Sequence, residues 1–278
     1  MSARNDLHVH SNESDGTLSP EMLIDAAASI GVSVIALCDH DTTAGVARFV
    51  RYGESRGVRA LPGIELSAKW QGGNCHLLGL GVSAGCEPLE ALLKKTRESR
   101  DKRNGLILEK LAKHGINISR EQLQSEAGGE VVARPHIASA LIKSGHASSH
   151  KEAFSAYLSR GGLAYVDRFR LEPAEAVKLL RDAGAFVVLA HPRQLSLESA
   201  ELFDALAALK KAGLQGVEVY SPDTSDEQIR LYKELSTALC LTQTGGSDFH
   251  APGHGGREIG YYRRSEPIPE IRIPELGI

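Results

Sequence analysis

The feature that most constrains this chain is a recurring unit. A short apolar run ends on a histidine or a carboxylate, and a helical pattern follows. "VSVIALCDHD", "AFVVLAHP", "LCLTQTGGSDFH", "DLHVH" and "VRALPGIEL" all carry the polar ending, and most such runs are followed by a helix. An apolar run without polar alternation suits a strand buried on both faces, as in a parallel sheet covered by helices. Helical periodicity fills the intervals in "SPEMLIDAAASIG", "EPAEAVKLLRDAG", "ESAELFDALAALKKAG" and "SDEQIRLYKELSTA". In the first of these, Ser19 is a candidate N-cap, Pro20 falls in the first turn and Gly31 closes the end. About seven strands, most followed by a helix, predict a parallel α/β architecture.

Residues 88–168 break this rhythm. They carry helical signals in "PLEALLKKTRESRDKRNGLILEKLAKHG", "SREQLQSEAG", "RPHIASALIKSG" and "HKEAFSAYLSRGG", with almost no strand signal. A helical insertion is predicted there, placed as a lid or substrate subdomain on a unit formed by 1–87 and 169–278. Within it, "KKTRESRDKR" reads as a solvated helix face, and His114, His146 and His150 read as solvent or packing residues.

The polar residues at the run ends carry the chemistry. His8 and His10 lie two apart in an extended segment and therefore share a face, with Asp15 in the following turn. His40 follows "VIALCD", Glu65 closes "LPGIE", His191 follows "VVLA", and Asp248 and His250 alternate past the last run. His76 alone stands at the start of its run, "CHLLGLGV". In a parallel barrel, reactive groups collect at the carboxyl ends of the strands. Imidazoles and carboxylates without thiolate suit manganese first, with zinc or iron as alternatives. Closely spaced cations can share a hydroxide, the expected nucleophile here, since no serine or cysteine nucleophile is evident. Glu65, His191 and Asp248 are the candidate catalytic residues. Asp39 and Asp41, flanking His40, are expected to orient the metal ligands.

Composition excludes several alternatives. A net charge of −3 over 278 residues, without a long basic block, weighs against a duplex nucleic-acid partner. A small nucleotide or short oligonucleotide is not excluded. "MSARNDLHVH" lacks the apolar core of a signal peptide, and no apolar run approaches the ~20 residues of a membrane span. A cytoplasmic chain with no membrane contact is expected, and no protein partner is indicated. Cys38, Cys75, Cys86 and Cys240 lack CxxC spacing and are expected to be reduced, in or near the core.

The HxH opening, "SDG", "DHD" after a buried strand, the lone Glu65, "AHP" and the closing "GSDFH" together resemble the PHP (polymerase and histidinol phosphatase) family of phosphoesterases. The resemblance covers most of the chain outside the insertion. It implies a distorted, seven-stranded (β/α)7 TIM-like barrel with the helical insertion, holding two to three divalent metal ions. By this resemblance His8, His10, Glu65 and Asp248 match the ligands of one metal. Asp15, His40 and His250 match those of a second, and Glu65, His76 and His191 those of a third, with Glu65 bridging. Many family members carry histidine where Asp15 stands.

The insertion with its "ARPHIA" segment is similar to a stand-alone subgroup of that family. This implies a phosphomonoesterase that removes the 3′-phosphate from nucleoside 3′,5′-bisphosphates, converting pAp to AMP and phosphate. The alternatives are a 5′-3′ exoribonuclease on short 5′-phosphorylated RNA and a non-catalytic PHP binding module. Arg134 and His136 in "ARPH", and Arg193 after His191, are the candidate phosphate contacts, because a guanidinium can grip phosphate with two prongs. His254, in the glycine-rich "APGHGG", reads first as a mobile loop histidine, with proton donation to the leaving oxygen as the alternative. Tyr165, Phe169 and Phe249 are the aromatic candidates for a base contact.

Overall fold

The structure is a computed structural model that describes residues 4–83, 85–127 and 131–278. The side chain of His254 lies outside the described set. Seven strands form one sheet in chain order: β1 (Arg4–Val9), β2 (Val32–Leu37), β3 (Arg59–Ala68), β4 (Cys75–Leu80), β5 (Phe186–Leu189), β6 (Gly216–Tyr220) and β7 (Thr242–Gly245). Neighbours pair in parallel except β4, which runs antiparallel to both β3 and β5.

This reversal departs from the uniformly parallel expectation, and its cause is local. Only residues 69–74, with a Gly72–Gly73 pair, separate β3 from β4. A link that short makes a hairpin, whereas a parallel return needs a crossover of a dozen residues or more. The reversal also explains the odd position of His76. Because β4 points the other way, its first residues lie beside the last residues of β3, with His76 opposite Ser67. A strand start on β4 thus occupies the same edge as the other strand ends.

In the first half the sheet is covered by α1 (Pro20–Ser29), where the periodicity places it, and by α2 (Val46–Arg56), which the sequence reading did not single out. Ser19 caps α1, its side chain accepting the Met22 N–H, and Pro20 opens the first turn. The strands are buried on both faces. Val187, Leu189 and Val217 pack with residues of the later helices, whereas Leu78, Val188 and Ala190 join an inner cluster with Ile268, Ile271 and Ile273. Past β7, Val9 and Phe249 form an isolated parallel bridge, and the His10 N–H donates to the Phe249 carbonyl at 2.9 Å. That contact brings the end of the first strand beside the segment carrying Asp248 and His250.

Between β4 and the later helices lie α3 (Glu87–Lys113), α4 (Arg120–Glu126), α5 (Arg134–Lys143), α6 (His150–Ala153) and a π-helical turn (Phe154–Leu158), with no strand among the described residues. They share an apolar cluster that includes Ile107, Leu111, Leu123, Ile137, Leu141 and Leu158. The "KKTRESRDKR" stretch corrects the solvated-face expectation: Arg100 is 6% exposed and Arg103 3%. They continue the buried stripe Leu89, Leu93, Thr96, Arg100, Arg103, Ile107, Leu111, whose spacing of three and four keeps one helix face inward. The chain then returns through α7 (Pro173–Asp182), α8 (Ser199–Ala212) and α9 (Asp226–Ala238). A small hairpin, β8 (Tyr261–Arg263) with β9 (Glu266–Pro267), follows; its strands are too short to leave a periodic signal. The cysteines are free, with Cys38 and Cys75 buried but Cys240 exposed. Among the described residues, no helix is long and apolar enough to cross a membrane.

Candidate active site

All nine residues expected to ligate metal meet at one edge of the sheet. Glu65, fully buried on β3, is the centre. Its Oε1 lies 2.9 Å from His76 Nδ1 and 3.0 Å from His191 Nε2. Its Oε2 lies 2.9 Å from His40 Nδ1, 3.3 Å from His10 Nε2 and 3.5 Å from His8 Nε2. Asp248 Oδ1 stands 3.2 Å from His10 Nε2 and 3.5 Å from His8 Nε2. Asp15 approaches His250 Nε2 at 3.3 Å and His40 Nε2 at 3.9 Å.

The donor set fits divalent cations. Four overlapping groups have ligand atoms within 4.8 Å of one another: His8, His10 and Asp248; His8, Glu65 and His191; His40, Glu65 and His76; and His10, Asp15, His40 and His250. Relative to the expected triads, His191 groups with His8 instead of His76, and His10 also joins the Asp15 group. The orientation of the atoms is more telling than their separation. His40 Nδ1 and His76 Nδ1 lie within hydrogen-bond distance of Glu65, yet neither makes a hydrogen bond, and Glu65 Oε2 is also unpartnered. Donor atoms that approach without aiming at each other are disposed to aim at a shared point. His191 (φ 26°) and Asp248 (φ 47°) both have left-handed backbone conformations, a strain of about 1–3 kcal/mol each that clusters at functional sites.

The electrostatics are strongly coupled. Burial opposes ionisation of Glu65, but His40, His76 and His8 overcome it and hold the carboxyl well below the usual carboxylate range. Asp248 and Asp15 are likewise held low by neighbouring histidines against the effect of burial. For His40, burial favours the neutral ring, yet Glu65 and Asp15 lift its pKa to about 9. His10, buried and facing His250, falls to about 3. Cations bound here must displace protons, so metal uptake is coupled to proton release.

Several functional side chains escaped the sequence reading. Glu218, fully buried on β6, accepts from His8 Nδ1 at 3.1 Å and from the His191 N–H at 2.8 Å. A carboxylate on Nδ1 fixes the tautomer that leaves Nε2 free as a ligand. Gly246 makes room for this pair, since a Cβ there would lie 2.2 Å from His8 Cβ. Asp39, as expected, is an orienting group: it accepts from the Ser11 N–H and hydroxyl and from the Ser14 hydroxyl, holding the loop that carries Asp15. Glu218→Gln keeps the shape but has one acceptor oxygen for two donors, so its NH2 must face either His8 Nδ1 or the His191 N–H. Its affinity for the cation at the His8 groups is expected to drop roughly 10–100-fold with the fold intact. Calorimetric titration of the metal-free variant with Mn²⁺ checks this, and an unchanged isotherm would refute the role.

Beside the cluster is a cavity of about 190 Å³, lined by Asp15, His40 and His76 of the cluster together with Arg100, Arg103, Arg134 and Arg168. Arg100 and Arg168 pair with the buried Asp41, Arg168 at 2.9 Å. Burial, reinforced by Arg100, depresses Arg168 to about 9. Arg103 Nε and Nη2 are buried without a hydrogen-bond partner among the described residues. Of the three candidate phosphate contacts, Arg134 alone lines this cavity. His136 is turned partly to structure, its Nδ1 accepting the Ala133 N–H at 3.1 Å. It also lines a separate cavity of about 360 Å³ that touches the cluster at Asp15 and His250, where His150 stands 3.0 Å from the Ser139 hydroxyl. Arg193 is exposed, 3.8 Å from Asp223. It reaches the cluster only through Arg257, which lies 4.0 Å from Asp223 and 2.7 Å from Asp248. Phe249 is buried in the core beside Val9, and Phe169 carries the Lys95 ammonium 3.9 Å above its ring.

A buried cluster of imidazoles and carboxylates at the strand ends of an α/β sheet, facing guanidiniums suited to phosphate, defines a metal-dependent phosphoesterase. The chain belongs to the PHP domain family, whose profile matches residues 6–249. It is 32% identical to a 3′,5′-nucleoside bisphosphate phosphatase of Chromobacterium violaceum, over 97% of this chain and 94% of that one. It is also 32% identical to a 5′-3′ exoribonuclease of Haemophilus influenzae, over 91% of this chain and 92% of the relative. A solved structure from Bifidobacterium adolescentis, assigned as a metal-dependent phosphoesterase, superposes with a TM-score of 0.84 at 28% identity, covering 95% of this chain and 93% of that one.

Proposed function

We propose that this protein is a nucleoside 3′,5′-bisphosphate phosphatase, converting pAp to AMP and phosphate. The observation that carries the reading is the pairing of two anion sites in one small cavity. Asp15, His40 and His76 of the cluster line it together with Arg100, Arg103, Arg134 and Arg168. A ribose with a phosphate at each end matches that pairing, the 3′-phosphate at the cluster and the 5′-phosphate at the arginines. In this reading His8, His10, Asp15, His40, Glu65, His76, His191, Asp248 and His250 hold two or three divalent cations, manganese first. When bound, such ions supply an activated water and neutralise phosphoryl charge.

The residues supply the rest. Glu218 fixes the ring of His8, and Asp39 fixes the loop carrying Asp15. Arg103 offers unpaired N–H groups to the 5′-phosphate, while Asp41 holds Arg100 and Arg168 in place. The insertion, 88–168, serves as the substrate subdomain that brings Arg100, Arg103 and Arg134 over the strand ends. The bridge between Val9 and Phe249 supports reading the sheet of 1–87 and 169–278 as the distorted barrel. The chemistry calls for a small nucleotide and no protein partner, consistent with an enzyme of the cytoplasm.

The test is phosphate release from pAp by the Mn²⁺-loaded protein, compared with a 5′-phosphorylated trinucleotide at equal concentration. Asp248→Ala is expected to lose both metal and phosphate release. A tenfold preference for the trinucleotide would overturn the ranking in favour of the exoribonuclease. Binding of pAp without turnover by the metal-loaded protein would point to a non-catalytic module.

A further inference from the structure

The arginine-lined cavity continues into a second one of about 360 Å³, the two sharing Asn74, Arg134 and Phe154. No described lining residue of this distal cavity belongs to the metal-ligating cluster, and Arg134 is the arginine common to both cavities. Arg134, Arg160 and Arg170 line it, with no carboxylate among the described lining residues. Arg170 pairs with Asp167 outside the lining, yet its Nε is buried without a hydrogen-bond partner among the described residues. The indole N–H of Trp70 is already used on the Leu195 carbonyl at 3.1 Å, so Trp70 supplies wall and no donor.

The charge balance points to a ligand. Among the described residues, the six guanidiniums of Arg100, Arg103, Arg134, Arg160, Arg168 and Arg170 across both cavities are set against three carboxylates: Asp15, which lines the proximal cavity and belongs to the metal-ligating cluster, and Asp41 and Asp167, which pair with Arg100, Arg168 and Arg170. A 5′-phosphate brings about two negative charges and is held near Arg103, which leaves guanidinium charge unmatched at the distal end. We propose that the distal cavity is a subsite for a second anionic group extending from the substrate's 5′-phosphate. The substrate class then includes nucleoside 3′-phosphates bearing a 5′-diphosphate. This rests on the bisphosphatase reading, and Arg160, which lines the distal cavity but not the proximal one, is its specificity residue.

The experiment compares 3′-phosphoadenosine 5′-diphosphate with pAp, by calorimetry on the metal-free protein and by phosphate release on the Mn²⁺-loaded protein. The wild type is expected to bind the diphosphate at least tenfold more tightly than pAp. Arg160→Ala is expected to erase at least fivefold of that preference through KM, with pAp handled within twofold of wild type. Arg160→Lys, which keeps the charge, is expected to retain part of it. Equal or weaker binding of the diphosphate overturns the proposal, as does an equal loss on both ligands in Arg160→Ala. It also falls if Trp70→Ala weakens pAp but not ribose 3,5-bisphosphate, because the cavity would then hold the base. If pAp is hydrolysed while the diphosphate is refused, this inference alone fails. If pAp is neither bound nor hydrolysed, the bisphosphatase reading fails with it.

Discussion

In Glu65→Gln, phosphate release from pAp is expected to fall on the order of a thousandfold, a loss of about 4 kcal/mol of transition-state stabilisation. No other carboxylate in the cluster has five histidines around it: His8, His10, His40, His76 and His191 all lie within 3.5 Å of its two oxygens. An amide keeps the volume but has one acceptor, and its NH2 cannot share a cation with a ring nitrogen. Metal content measured on the purified variant should fall in parallel with activity. Full metal content with lost activity would mean that Glu65 acts in some other way.

The same variant should also show a pH signature without metal. Glu65 and Asp15 lift His40 to about 9 against burial, while an unfolded histidine titrates near 6.5. The folded state therefore holds this proton more tightly. The resulting stabilisation is complete below about pH 6.5 and is lost as pH rises towards 9. It amounts to on the order of 3 kcal/mol for the pair of carboxylates, and Glu65→Gln removes part of it. The stability gap between metal-free wild type and variant should accordingly narrow between pH 6.5 and 9 in urea titrations. A gap that widens over that range would contradict the assigned charge state.

Much of this arrangement is legible in the sequence because strand ends are legible. Each of His8, Glu65, His191 and Asp248 falls within three residues of the end of its strand, so all four can be placed near an edge without knowing which strands pair. The direction of β4 was less visible: "QGGN" marks a tight turn, but an apolar run reads the same in either direction. Arg100 and Arg103 were missed for another reason. They occupy inward positions of a regular stripe in α3, and a reading that treats charged residues as solvated discards them. A charge on the apolar face of a helix is the signal that would have found them. Glu218 leaves a similar trace as the lone acid in "GVEVYS". Arg168, in an irregular segment before α7, leaves none, since periodicity has nothing to act on there.

Arg103→Met is expected to make the ligand-free protein more stable and the enzyme worse. Burial pushes the pKa of Arg103 well down, and Arg100, Arg134, Arg168 and Arg170 reinforce the effect. Nε and Nη2 have no hydrogen-bond partner among the described residues. A buried, unpaired charge in a field of like charges opposes folding. Methionine fills similar space without that penalty, and a gain on the order of 1–2 kcal/mol in urea unfolding is expected. With pAp present the order should reverse, because a ligand stabilises the form it binds in proportion to its affinity. Losing charge-assisted hydrogen bonds to the 5′-phosphate costs about 1.5–3 kcal/mol, so KM for pAp should rise by roughly 10–100-fold. Adenosine 3′-phosphate, which lacks the 5′-phosphate, should be turned over alike by both proteins. If Arg103→Met is destabilised without ligand, Arg103 is held by a compensating group and is not poised for an anion.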